Sequence, residues 1–104
     1  YHQIIKTHLR TAYLLQEGKI NALLPQFLGS LQALMHNLEQ IAATERQEDL
    51  SRASHAIKGA LLNLGLKELA AVAFTLEQNC RSTAPERDSA QIISELKEEI
   101  SKII

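Results

Sequence analysis

From Leu50 to Gln78 the chain carries two runs of apolar residues at three-four spacing, parted by Gly65. That pattern commits this part of the chain to two helices. An α-helix advances about 100° per residue. On that wheel Leu50, Ala53, Ile57, Ala60, Leu61 and Leu64 fall on one side and make an apolar stripe. His55 falls on the opposite side, grouped with Ser51, Lys58, Gly59 and Leu62. The imidazole is therefore expected to point outward, with an ammonium group one turn away and a residue without a side chain beside it. Packing gives no ready account of such a grouping. Beyond Gly65, expected to end the first of the two helices, Leu66, Leu69, Ala73, Leu76 and Cys80 keep the rhythm of a bundle seam.

The rest of the chain repeats the same period. Residues 2–16 read as a helix with a ragged apolar face of Ile4, Ile5, Leu9, Ala12, Tyr13 and Leu15, and Gly18 is expected to stop it. A second helix is expected to start near Asn21 as its cap, with Pro25 in the first turn, where a missing N–H costs nothing. Ile20, Leu24, Phe27, Leu28, Leu31, Leu34, Leu38 and Ile41 give it a buried face. Gly29 inside that helix costs about 1 kcal/mol against alanine. Thr44 with Gln47 three residues on fits a capping box for a third helix ending near Leu64, and a fourth runs from about Lys67 to Asn79 or Cys80. Residues 81–85 read as a turn, and a last helix from about Pro85 to Lys102 buries Ile92, Ile93, Leu96, Ile100 and Ile103. No segment alternates with period two over a useful length, and no repeat or low-complexity tract is present. Short connections imply antiparallel neighbours. The expected fold is all-α: an antiparallel up-down four-helix bundle over residues 19–104 with an additional N-terminal helix over 1–18, one domain in all.

Composition removes several function classes. With eleven basic and twelve acidic residues, the net charge of −1 gives no support for binding nucleic acid or an anionic membrane. The lone Cys80 excludes an internal disulfide and suits a reducing compartment. No apolar run approaches the ~20 residues a membrane span requires. Lys6, His8 and Arg10 interrupt the first segment, so it does not read as a signal peptide. A chain beginning with Tyr1 is expected to be excised from a longer protein. No two histidines stand at i, i+4 and no Cys/His spacing suits zinc, so no metal ligand is assigned. Neither a phosphate-binding loop nor a glycine-rich dinucleotide fingerprint occurs. His2, His8 and His36 read as plain surface residues.

The spacing His55-x-x-Lys58-Gly59-Ala60-x-x-x-x-Gly65, followed by a Leu- and Ala-rich helix, resembles the histidine-containing phosphotransfer (HPt) family of two-component signalling over residues 50–81. In that family a histidine on a four-helix bundle carries a phosphoryl group between receiver-domain aspartates. The resemblance implies that His55 is the phosphoacceptor. A histidine with its ordinary pKa of about 6.5 is largely free base at neutral pH and can act as a nucleophile. Lys58, on the same face, would meet phosphate oxygens, and Gly59 would let the donor approach closely. Glu77 stands where some family members hydrogen-bond the other ring nitrogen, which would keep Nε2 free. Arg81 would add positive charge at a docking rim, and Ser51, Leu62 and Phe74 would border the same face. The sequence departs from the family at Leu61 and Leu62, where small residues are usual; Leu62 lies on the His55 face as an apolar contact.

The resemblance further implies a cytoplasmic, monomeric carrier with no cofactor of its own. Its partners would be response-regulator receiver domains and a histidine kinase, with magnesium on the receiver, and it would touch neither membrane nor nucleic acid. It is then no enzyme, because partner domains supply the catalysis. Two other readings stand beside it. One is the phosphoacceptor domain of a chemotaxis-type kinase, which shares fold and motif. The other is a helical interaction or dimerisation module in which Leu62 and Phe74 form an adhesive surface. A dimerising histidine-kinase hairpin would want an acidic residue after the histidine, where this chain has Ala56.

Overall fold

Three-four apolar spacing becomes helix throughout the computed structural model, which describes residues 2–44, 46–81 and 88–103. The helices are α1 (His2–Ala12), α2 (Glu17–Ala43), α3 (Gln47–Asn63), α4 (Lys67–Arg81) and α5 (Ser89–Ile103), with no strand among the described residues. The all-α expectation agrees with this. Each of α2 to α5 packs on the next, α5 returns to α2, and the α3–α4 pair is the most extensive; α1 lies against α2. The core is built from one stripe per helix: Ile20, Leu31 and Leu38 from α2, Ile57 and Leu61 from α3, Ala73 and Leu76 from α4, Ile92 and Leu96 from α5. From α1, Ile5 and Leu9 join it. Met35 is buried as well, a position outside the expected stripe. No described helix is long and apolar enough to cross a membrane.

Boundaries at the N-terminal end differ from the expectation. α1 stops at Ala12, and Leu14 turns the chain with a φ of 54°, a conformation in which glycine is usual. α2 then begins at Glu17, with the Ile20 amide donating to the Gln16 carbonyl at 3.0 Å. Gly18 and Asn21 therefore lie inside α2 as neither stop nor cap, and Pro25 sits well past its first turn. Burial of Ile20 and Leu24 accounts for the earlier start, since both belong to the core face. Pro25 cannot donate to the Asn21 carbonyl, but both residues are exposed, so water can take the freed acceptor.

The Thr44–Gln47 capping box does not form. Thr44 caps the end of α2 instead, its Oγ1 donating to the Ile41 carbonyl at 2.7 Å. α3 starts two residues too late for the box, from an extended Arg46 with no side-chain cap. Glu48 and Asp49 in its first turn supply negative charge to the helix N-terminus. At α5 the Asp88 side chain accepts from the Ala90 amide at 3.1 Å. Of the turn expected at residues 81–85, Arg81 is still part of α4 and the rest lies outside the described residues. The last helix begins at Ser89, later than the expected start near Pro85, with Asp88 ahead of it as cap. Of the histidines read as plain surface, His8 is half-buried, stacked edge-on with Tyr13, and the His2 ring bonds the Ile103 carbonyl.

Gly65 does end α3. The Leu66 amide donates to the Leu61 carbonyl (2.9 Å) and the Gly65 amide to the Leu62 carbonyl (3.0 Å), with Gly65 at φ +78°. These are the paired bonds of a Schellman stop, and buried Leu61 and Leu66 make its apolar closure. A Cβ on Gly65 would fall 2.5 Å from the His8 Cβ. Gly65→Ala is therefore expected to lose at least about 1–2 kcal/mol of stability, from left-handed strain plus overlap with α1. Chemical denaturation measures it; a loss below about 0.5 kcal/mol, the range of neutral surface changes, would contradict the turn as described.

Candidate functional site

His55 stands outward because its own helix leaves it no other course. With Leu50, Ala53, Ile57 and Leu61 turned into the core, the opposite face of α3 must meet solvent, and the His55 side chain is 68% exposed. α4 runs alongside, its seam of Leu69, Ala70, Ala73 and Leu76 buried. Small alanines on both seams let the two helices approach closely, and Glu77 at their junction is itself buried, at 4% exposure.

Glu77 is the hub of the site. His55 Nδ1 lies 3.1 Å from its Oε1, and Lys58 Nζ donates to Oε2 at 3.0 Å. An Arg81 guanidinium nitrogen stands 3.6 Å from the same Oε1, as a looser ion pair. Lys58 is also seated over the Phe74 ring, 4.9 Å from its centroid, a cation–π arrangement. Burial pushes the Glu77 carboxyl up, but the hydrogen bonds and charges of Lys58 and His55 outweigh that and hold it below its ordinary 4.5. It is thus a carboxylate at neutral pH. A carboxylate only accepts, so the contact places the neutral imidazole's proton on Nδ1 and leaves the lone pair on Nε2. A nucleophilic nitrogen on an exposed ring, with its tautomer fixed from behind, is what this geometry offers.

Gly59, one turn from His55, is half-buried within α3, yet a Cβ there would meet nothing within 4 Å. Internal packing therefore does not demand glycine at this position. Leu62 and Phe74 are 46% and 44% exposed. Ser51 departs from the expectation: it is buried, because the wheel fixes its direction on α3 but not what covers it, and the side-chain partner of the His55 ring is Glu77. Lys58 is held by Glu77 and Phe74 on α4. Of the α4 stripe Ala70, Phe74, Glu77 and Arg81, the first and third are buried and the others exposed.

Sequence reasoning passed over Ser54, which is wholly buried and donates to the Leu50 carbonyl at 2.7 Å; a serine inside an apolar stripe was the signal for it. Cys80 is half-buried, and burial followed by the charge of Glu77 pushes its thiol up, away from nucleophilic use. Among the described residues no group of three or more His, Cys, Asp or Glu side chains is placed to hold a metal ion.

Comparison with known families places this geometry. The model of the Hpt domain matches residues 22–104, a span that opens inside α2, takes in α3 to α5 and leaves α1 outside. No curated protein and no solved structure matches the chain.

Proposed function

The chain belongs to the Hpt domain family, and from that membership and the surroundings of His55 we propose that it is a phosphorelay carrier whose acceptor atom is His55 Nε2. The observation that carries the proposal is the Glu77 contact. It holds the proton on Nδ1 of an imidazole that is otherwise open to solvent. In the reaction the Nε2 lone pair attacks the phosphorus of a receiver-domain aspartyl phosphate. The N–P bond forms, the P–O bond to the aspartate breaks, and the aspartate leaves as a carboxylate. The Nδ1 proton stays in place, and Glu77 stabilises the positive charge the ring then bears. Reversal of these steps passes the group to another receiver.

Such a transfer is mostly a matter of positioning and charge neutralisation. This chain contributes the oriented imidazole, the fixed positive charge of Lys58 and an unobstructed approach over Gly59. The catalytic aspartate and magnesium are assigned to the receiver, so the domain is a substrate of its partners and not an enzyme. Leu62 and Phe74 are assigned to docking, as apolar residues bordering the polar centre. The ring of contacts α2–α3–α4–α5 supports an antiparallel up-down bundle. A cytoplasmic, monomeric carrier completes the reading.

Gly59→Gln tests the approach. Glutamine is a better helix former than glycine, by about 0.5–1 kcal/mol, so the variant is expected to melt at or above the wild-type temperature. Transfer from a phosphorylated receiver is expected to slow by about tenfold to a hundredfold, the scale on which small misplacements of reacting groups act. Wild-type transfer kinetics in this variant would remove the close-approach role.

A further inference from the structure

The two cations on Glu77 are held in different ways. Lys58 is 20% exposed, hydrogen-bonded at 3.0 Å and seated over Phe74, so its ammonium group is held from two sides. Arg81 is 74% exposed and its closest approach, 3.6 Å, is longer than a good charged hydrogen bond. It also shares Oε1 with the imidazole, so the guanidinium and the ring are neighbours across one oxygen. At rest the cluster sets one carboxylate against two permanent cations, an excess of positive charge beside a ring that is to receive a dianion.

Helix geometry brings the same residue within reach. His55 meets Glu77 while Lys58, one turn on, meets Phe74, one turn back, so α3 and α4 run antiparallel here. Arg81, one turn beyond Glu77, is therefore level with the turn of α3 that precedes His55. Helical side chains lean toward their own N-terminus. The His55 ring thus leans toward the level of Arg81 and away from that of Phe74.

Resting on the phosphocarrier reading, we propose that Arg81 is the mobile cation of the site: it sits on Glu77 before transfer and moves onto the phosphoryl oxygens once the group is on His55. Lys58 stays where it is, because leaving would expose the buried Glu77 charge and abandon the Phe74 ring. The movement makes and breaks no covalent bond. It frees Oε1 for the Nδ1–H of the phosphorylated ring, whose positive charge needs that oxygen more than the neutral ring does. A guanidinium presents paired donors that match phosphate oxygens, which an ammonium does not.

The test uses phosphoimidazole as a small donor, which exchanges one N–P bond for another and releases imidazole, so no protein partner enters. In the wild type, phosphorylation is expected to shift the Arg81 Nε–H resonance and slow its exchange with solvent. Arg81→Ala is expected to lower the equilibrium constant for phosphorylation by about threefold to tenfold, with Arg81→Lys recovering part of it. The imidazole ¹⁵N tautomer pattern of the unphosphorylated Arg81→Ala protein should stay as in the wild type. A labelled wild type whose Arg81 resonance does not move, with an unchanged constant in Arg81→Ala, overturns the inference and leaves the carrier reading standing. So does a loss confined to Lys58→Ala. A folded wild type that takes no phosphoryl group either from phosphoimidazole or from phosphorylated receiver domains with magnesium overturns both.

Discussion

His55→Gln is expected to abolish phosphoryl labelling while leaving the protein as stable as the wild type to within about 1 kcal/mol. The two halves of this result come from different parts of the structure. Stability is spared because the side chain is 68% exposed and lends the core nothing. Glutamine also retains an N–H that can donate to Glu77, so the buried carboxylate keeps a partner. Labelling is lost because an amide nitrogen has its lone pair delocalised and is no nucleophile. Circular dichroism melting and incubation with a radiolabelled phosphoreceiver measure the two halves separately. Residual label would assign the nucleophile to another residue, and loss of fold would contradict the outward placement.

Leu61→Ala is expected to have the largest effect on stability, about 2–5 kcal/mol, the range for truncating a buried leucine. Leu61 is wholly buried in the core, and its carbonyl anchors the Leu66 amide that closes the Gly65 turn. The cavity would open beside that anchored turn, so relaxation can fill little of it. In a domain of this size each kcal/mol lowers the midpoint by about 4–8 °C. The neighbouring Leu62→Ala is the control: with Leu62 46% exposed, its expected change lies within about 0.5 kcal/mol. Equal losses at the two positions would show that the helical phase of α3 is misassigned.

Both predictions rest on a phase that is legible in the sequence. The stripe Leu50, Ala53, Ile57, Leu61 is periodic enough to fix which way α3 faces, and His55 follows as its complement. Gly65 was legible because a glycine after the last periodic residue has one common meaning. The start of α2 was not. Gly18 and Pro25 carry strong local signals of stop and start, but burial of Ile20 extends the helix through one and past the other.

The candidate site shows the same division. A helical wheel describes one helix at a time, so it places His55, Lys58 and Gly59 on a shared face. It cannot say that Lys58 turns onto α4, or that Ser51 is covered. Glu77 carries the sharpest contrast. The sequence offered it as a histidine partner only through the family resemblance. Burial on the seam between α3 and α4, which no single-helix pattern encodes, makes it the shared acceptor of His55 and Lys58.

The central claim is that His55 Nε2 accepts the phosphoryl group while Nδ1 keeps its proton against Glu77. Its most direct test is ¹⁵N and ³¹P NMR of the wild-type protein after incubation with a panel of phosphorylated receiver domains and magnesium. The predicted result is an acid-labile, alkali-stable phosphoryl group coupled to Nε2 of His55, with Nδ1 still protonated. A phosphoryl group on Nδ1, or no phosphohistidine on folded protein with either the receivers or an ATP-dependent kinase domain as donor, would contradict it.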